Sequence, residues 1–286
     1  LLLWGPAPLI ERCQLLALTA TQRRRRSLWV QGAIGIVVIA ILALIIDWPA
    51  VADSFLRFDV IPKLFPTILF PGLVNTLLYT ATSFAFGLTL GLILALMRMA
   101  TFKPYQWIAK VYIEFFRGIP ALLVLIGAGF LLPIAFQGLK LPLWATVMIA
   151  LGSVSAAYMA ETLRAGLQAV PKGQIEAARS LGMSHTRAMI TIVIPQAFRI
   201  VLPPLTNEVI LLTKDSSLVY VLGMQAINYD ITKIGRDGMI TYGGGATAFV
   251  VAGLLYLVIT VPLSMLARWF ERRSEQNSQR TSRKEK

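Results

Sequence analysis

The residues best equipped for chemistry in this sequence stand inside an apolar stretch. Asn207-Glu208 is followed, about two helical turns on, by Lys214-Asp215-Ser216-Ser217. A carboxylate surrounded by so many hydrocarbon side chains is costly, and it must face protein or a wet cavity. Pro203 and Pro204 just before it lack backbone N–H groups. They are expected to break the helix there and free carbonyl oxygens toward the same space. Glu208 offers an acceptor for a cationic group. Asn207, with Ser216 or Ser217, offers donors for an anionic one. Two readings stand: these groups line a polar path, or Glu208 only ties two helices together. Lys214 and Asp215 are adjacent, so on a helix they point in different directions. They fit gating or interhelical ion pairs.

Covalent catalysis and metal binding have little to work with. Cys13 is the one cysteine and His185 the one histidine. That excludes an internal disulfide and most zinc sites, and it leaves little room for a Cys-His nucleophile pair. His185 sits in a polar loop and reads as a plain surface or interface residue. No GxxxxGK[ST] occurs, so nucleotide chemistry belongs to another chain and no cofactor is expected on this one.

The elements that must position these residues are membrane spans. Of 286 residues, 56% are hydrophobic and 14% charged, where soluble domains carry about 25% charged. Apolar runs long enough to cross a bilayer cover residues 27–48, 71–99, a third span ending near residue 136, 142–164, 196–222 and 246–268. The first follows Arg23-Arg24-Arg25-Arg26. It is longer than a signal core and reads as a retained span with its N-terminus inside. Residues 47–70, with Pro49, Pro62 and Pro66, read as an irregular outer connection with a short interfacial helix. Gly87 and Gly91 form a small-xxx-small face for close helix contact. Glu114 and Arg117, and likewise Glu161 and Arg164, are one turn apart and can pair. Residues 223–245 read as an outer loop punctuated by Gly243-Gly244-Gly245, and residues 271–286 as a charged, disordered tail.

The formal net charge of +13 alone suggests nucleic acid, but its distribution does not. With six spans and an inside N-terminus, 21 of the 27 Lys and Arg residues fall on the cytoplasmic side and 5 outside, with Lys214 in the membrane. This is the positive-inside pattern, so the excess is a topology signal and no nucleic-acid partner is needed.

One long polar interruption, residues 168–195, falls on the cytoplasmic side. Pro171 can open a helix, Gly182 can close it in a left-handed conformation, and Ser184 can cap a second short helix running toward Ile194. Ala177 and Ala178 leave one face nearly bare, suited to a close partner. A solvated hairpin between two spans accounts for the same features.

Glu176-Ala177-Ala178, Gly182 and Ile192-x-Ile194-Pro195 resemble the EAA loop of ABC importer permeases, with Ile194 at a leucine position. Two further stretches resemble the polar amino acid (histidine/glutamine/arginine) group of that family. One is Gly72-Leu73-Val74-Asn75-Thr76-Leu77, similar to a GxxxTL opening. The other is Glu114-Phe115-Phe116-Arg117-Gly118-Ile119-Pro120, similar to EFFRGTP with Ile119 for Thr. The resemblance covers residues 71–270.

It implies an all-α integral membrane fold with six transmembrane helices: a five-helix core of the methionine-importer type plus one N-terminal helix. The implied layout is a cytoplasmic tail (1–27), an added helix with its outer connection (28–70), the permease domain (71–270) and a cytoplasmic tail (271–286). Glu176, Ala177, Ala178, Gly182, Ile192 and Pro195 would couple to ABC ATPase subunits, which bind the ATP. A second permease subunit, identical or homologous, and a soluble or lipid-anchored substrate-binding protein complete the implied assembly in a bacterial inner membrane. The solute would be a polar amino acid. Its ammonium group needs an acceptor such as Glu208, and its carboxylate needs donors such as Asn207 and Ser216 or Ser217. An ion-gradient-driven secondary transporter is the alternative, but it should show internal repeats, and no clear repeat stands in the sequence.

The orientation is testable at Cys13. The four arginines after it should not cross the membrane, so an impermeant thiol reagent applied to intact cells should leave Cys13 unlabelled. Rapid labelling from outside would overturn the six-span topology.

Overall fold

The computed structural model describes residues 20–138, 141–243 and 245–284. Arg12, Cys13 and Lys140, which entered the topology reading, lie outside the described residues. Among those described, every regular element is helical. Five helices are long and apolar enough to cross a membrane, or six when one bent pair counts as a span. The chain divides into two compact units, one ending at Leu56 and one beginning at Arg57.

The smaller unit holds α1 (Ala20–Ile45) and α2 (Trp48–Phe55). The connection expected to be irregular is partly helical. Asp47 caps α2 by accepting from the Ala50 N–H at 3.1 Å, and Pro49 sits in the first turn, where its missing N–H costs nothing. The Trp48 indole donates back to the Ala43 carbonyl at 2.8 Å.

In the larger unit, α3 (Ile61–Leu64) and a π-helical turn (Ile68–Leu73) lead into α4 (Val74–Met99). Residues 57–70, grouped above with the first helix, belong to this unit. Val60, Leu64 and Ile68 are buried in one cluster with Ile231, Ile234, Ala248 and Ala252.

The centre is the pairing of α4 with α7 (Leu143–Ala169). A Cβ at Gly87 would lie 3.1 Å from the Gly152 carbonyl oxygen, and one at Gly91 3.0 Å from that of Ala156. The small-residue face therefore brings two backbones into direct contact, which is how helices associate where lipid removes the usual hydrophobic drive. Tyr79, Val147, Leu151, Met159, Val201, Leu205 and Leu212 form the adjoining core.

The third span is broken. α5 (Lys103–Gly118) and α6 (Ala121–Ala135) meet at 105°. The Tyr112 hydroxyl donates to the Ser153 carbonyl at 3.0 Å, and Ile113 packs with Ala156 and Ala160. α5 thus climbs along α7, and the break at Ile119-Pro120 sits beside the middle of α7 rather than at the membrane surface. Arg117 accordingly leaves the cytoplasmic group of charges. The expected Glu114–Arg117 pair is not formed. Arg117 instead stacks over Tyr158, 5.6 Å from the ring centre. Arg164 does pair with Glu161 at 2.6 Å, and Arg98 of α4 approaches the same carboxylate at 4.0 Å.

The loop at residues 168–195 folds as its caps suggest. α8 (Lys172–Ser180) ends before Gly182, whose φ is +84°. The Ser184 hydroxyl accepts from the Arg187 N–H at 3.3 Å. From there the chain differs from expectation: α9 (His185–Leu222) runs unbroken from the loop through the fifth span. Pro203 and Pro204 remain inside helical structure, because packed neighbours hold a membrane helix across the missing hydrogen bonds.

Residues 223–245 are more than a loop. They contain α10 (Ile231–Thr241), packed on α11 (Thr247–Lys284) through Gly235 and Gly238, where added Cβ atoms would lie 2.6 and 2.8 Å from the Ala252 and Ala248 methyls. The tail expected to be disordered continues α11 to Lys284. No Gly or Pro follows Pro262, and Glu, Arg, Gln and Lys favour helix.

Gly91→Val should destabilise the folded chain by about 1–3 kcal/mol through overpacking. Gly253→Ala, with open space around it, should be near neutral. Thermal unfolding in detergent compares the two; equal midpoints would show that the α4–α7 contact is not tight.

Candidate functional site

A cavity of about 500 Å³ lies where the α5–α6 break meets α7 and α9. Each wall follows from a local rule. On α9, Glu208, Leu212 and Asp215 are spaced by four and three residues and share a face. On α7, Ser155 and Tyr158 are one turn apart and line the same space. At the break, Gly118, Ile119 and Pro120 interrupt the helix. The first N–H groups of α6 then lack intrahelical acceptors at the cavity wall.

The polar groups are held in place. The Ser155 hydroxyl, on a residue that is 2% exposed, donates to Glu208 Oε1 at 3.0 Å. Arg117 lines the cavity from the other side, steadied by the Tyr158 ring. The cavity therefore has two carboxylates, Glu208 and Asp215, on one wall. It has the Arg117 guanidinium and the start of α6 at Ala121 on another, with Val154 of α7 and Leu211 of α9 completing the lining. Such a space accommodates a small molecule carrying both charges. Among the described residues no three His, Cys, Asp or Glu side chains gather as a metal site.

The structure brings together only part of the expected constellation. Glu208 and Asp215 share the cavity. Asn207 and Lys214 are exposed on a neighbouring face of α9. Ser216 is buried and donates to the Thr213 carbonyl at 2.7 Å, and Ser217 is half-buried outside the cavity. The donors expected from Asn207 and the two serines are thus not in this space, and Arg117, Ser155 and Tyr158 stand there instead. Their signal was present in sequence: a polar face on the fourth span, and an arginine beside a Gly-x-Pro break. Read locally, both looked structural.

In the loop at residues 168–195, Glu176, Ala177, Gly182 and Pro195 are exposed, Ile192 is half-buried, and Ala178 is buried. Val170, Val193 and Ala197, with Ile175 and Met189, form a small core beneath α8. The hairpin is therefore a packed unit presenting an outer face, with Leu181 85% exposed beside it.

A second polar site, missed in sequence, lies at the outer end of α4. The Asn75 amide donates to the carbonyls of Ile227 and Tyr229 at 2.8 and 3.0 Å, and the Tyr79 hydroxyl to that of Asn228 at 2.8 Å. The Thr76 hydroxyl accepts from the Ile231 N–H at 3.3 Å. Asp230, fully buried, caps α10 by accepting from the Thr232 and Lys233 N–H groups at 3.1 and 3.0 Å, and from the Tyr256 hydroxyl at 3.3 Å. Burial pushes its carboxyl above the ordinary aspartate range, partly offset by these hydrogen bonds.

Residues 87–276 match the family model described as binding-protein-dependent transport system inner membrane component. The chain is 38% identical over 206 residues to the probable glutamine ABC transporter permease protein GlnM of Bacillus subtilis, covering 72% of this chain and 93% of that one. It is 37% identical over 226 residues to the glutamate/aspartate import permease protein GltK of Escherichia coli, covering 76% and 96%. Among solved structures, an amino acid ABC transporter with histidines superposes with a TM-score of 0.67 at 36% identity, covering 76% of this chain and 98% of that one. The MetNI methionine ABC transporter superposes with a TM-score of 0.56 at 19% identity, covering 75% and 95%, and supports the fold.

Asp230→Ala should lower stability by about 0.5–2 kcal/mol, the usual worth of such a cap, while Asp230→Asn should lose much less. Because the folded carboxyl titrates above its unfolded value, the stability it contributes is fullest below the unfolded pKa. It is lost as pH rises through the folded one. Asp230→Asn should flatten that slope. Unfolding midpoints across mildly acidic pH test both; identical Ala and Asn variants would remove the capping role.

Proposed function

The chain belongs to the family of binding-protein-dependent transport system inner membrane components, the permease subunits of ABC importers, and on that premise we propose that it conducts a polar amino acid through the α5–α9 cavity by alternating access, driven by ATPase subunits on separate chains. The observation that carries the reading is the charge layout of the cavity. Glu208, held by Ser155, and Asp215 face Arg117 across about 500 Å³ of membrane-embedded space. An α-amino acid carries an ammonium and a carboxylate on one carbon. The carboxylates suit the first and Arg117 with the α6 N–H groups suit the second, by charge-assisted hydrogen bonds. Names of the relatives, which cite glutamine, arginine and glutamate/aspartate, support this solute class.

The loop at 168–195 supplies the ATPase contact, with the α8 face at Glu176 and Ala177 outward and Gly182 ending that helix. Ile192 and Pro195 lie in the first turns of α9, next to this face, and buried Ala178 keeps α8 close to its own base. ATP is bound by the partner chains. Both chain ends lie in the cytoplasm, and a substrate-binding protein delivers solute to the outer face.

Reconstitution in proteoliposomes with the ATPase and binding-protein partners tests the path. Glu208→Gln should reduce amino acid uptake about tenfold or more, or shift preference between cationic and neutral amino acids, as expected for loss of a hydrogen bond to a charged group. Assembly and basal ATPase activity should stay normal. Unchanged kinetics across an amino acid panel would remove Glu208 from the site.

A further inference from the structure

A second cavity, of about 310 Å³, opens at the end of α9 remote from the loop at residues 168–195. Tyr220 of α9, Thr232, Arg236 and Met239 of α10, and Phe249 of α11 line it. The spans give its depth. Tyr220 is in the last turn of His185–Leu222, and Phe249 in the first turn of Thr247–Arg273. The 27 residues of the latter rise about 40 Å, the thickness of a bilayer with its head groups, so the cavity sits at head-group level. Arg236 is the group there that calls for a partner. Its guanidinium lies 5.0 Å from the centre of the Tyr220 ring, and among the described ion pairs it has none. Lys233, three residues earlier, is already paired with Asp237 and lies over Tyr229, so the charge of Arg236 is left uncompensated. The rest of the cavity is apolar at Met239 and Phe249, and the surface of α11 stays so toward the membrane centre. Gly253 and Leu257 follow Phe249 at intervals of four, all three are exposed, and a Cβ at Gly253 would meet nothing within 4 Å.

We propose that this cavity binds an anionic phospholipid, with its phosphate on Arg236 and an acyl chain lying along Phe249, Gly253 and Leu257. The guanidinium presents paired N–H donors that match phosphate oxygens, and stacking on Tyr220 steadies its plane. The Tyr220 hydroxyl supplies a further donor from the neighbouring helix. A soluble anion would meet Arg236 but leave the apolar hollow beside Gly253 uncovered. Phosphatidylethanolamine would fill the hollow, but its own ammonium already compensates its phosphate. Phosphatidylglycerol brings one net negative charge and an acyl chain together, so it satisfies both halves of the site. The lipid would touch α9, α10 and α11 at once, and its binding holds whatever solute the first cavity conducts.

The test uses the full-length chain in phosphatidylcholine vesicles that carry a trace of phosphatidylglycerol with a photoreactive acyl chain. Labelled peptides are mapped by mass spectrometry. Residues 247–257 should be labelled. Arg236→Gln should lower that label about fivefold or more, as loss of a charge-assisted pair predicts, and Arg236→Lys should fall between. Gly253→Leu fills the hollow without touching the charge, and it should lower the label about twofold or more through lost acyl contact. A phosphatidylethanolamine probe with the same chain should label residues 247–257 about fivefold less. Label around Val261 and Met265, both exposed, reports ordinary contact with the bilayer and should be equal in every variant, which also shows that the variants are folded and inserted. Label at 247–257 that is unchanged by Arg236→Gln, or equal for the two lipids, overturns the proposal. So does label that millimolar inorganic phosphate abolishes while Gly253→Leu leaves it intact, since the site would then belong to a soluble anion.

Discussion

In hydrocarbon an unpaired peptide group finds no water to satisfy it, so a helix can be interrupted within a bilayer only where protein or a wet cavity takes up the freed groups. The break at Ile119-Pro120 depends on that condition, and the site depends on the break. It lies against the middle of α7, beside Ser155 and Tyr158, and borders the cavity that these residues line with Glu208 and Asp215. Had α5 and α6 formed one straight helix, Arg117 would have no cavity to face and Glu208 no cationic counterpart across it.

The close α4–α7 contact makes the arrangement possible. Glycine at 87, 91 and 152 lets two backbones touch, and the absence of a Cβ at Gly87 leaves room for the Ser155 side chain. From that contact the Ser155 hydroxyl reaches Glu208 at 3.0 Å. At the inner end of the same pair, Glu161 gathers Arg164 and Arg98. At the outer end, Asn75, Thr76 and Tyr79 hold the segment leading into α10. The hairpin is thus tied at both ends, and polar freedom is concentrated in the middle.

α9 connects these regions mechanically. It starts at the Ser184 cap, crosses the cavity at Glu208 and Asp215, and tightens into 3-10 geometry from Ser216 to Leu222 near the outer network. A single continuous helix thus joins the loop at residues 168–195 to the cavity wall. Pro203 and Pro204 leave one turn within it short of two hydrogen bonds, which gives that helix a place to flex. This continuity relates the packed hairpin to the cavity without requiring a separate linkage.

The sequence by itself determined the membrane class, the span order, the caps at Gly182 and Ser184, the tight face at Gly87 and Gly91, and the placement of Glu208 toward a polar space. Each of these follows from rules that act over a few residues: hydrocarbon length, charge placement, left-handed glycine, side-chain size, and the cost of a carboxylate in an apolar run. Tertiary structure decided which polar groups meet. Neighbouring residues on a helix diverge by about 100°, so Asn207 and Lys214 could not share a face with Glu208 and Asp215. Arg117, distant in sequence, could reach that cavity because the chain folds back at Pro120. Asp230 and α10 were missed for the same reason. A glycine-rich outer segment looks like a loop until Ala248 and Ala252 show why Gly235 and Gly238 must lack a Cβ.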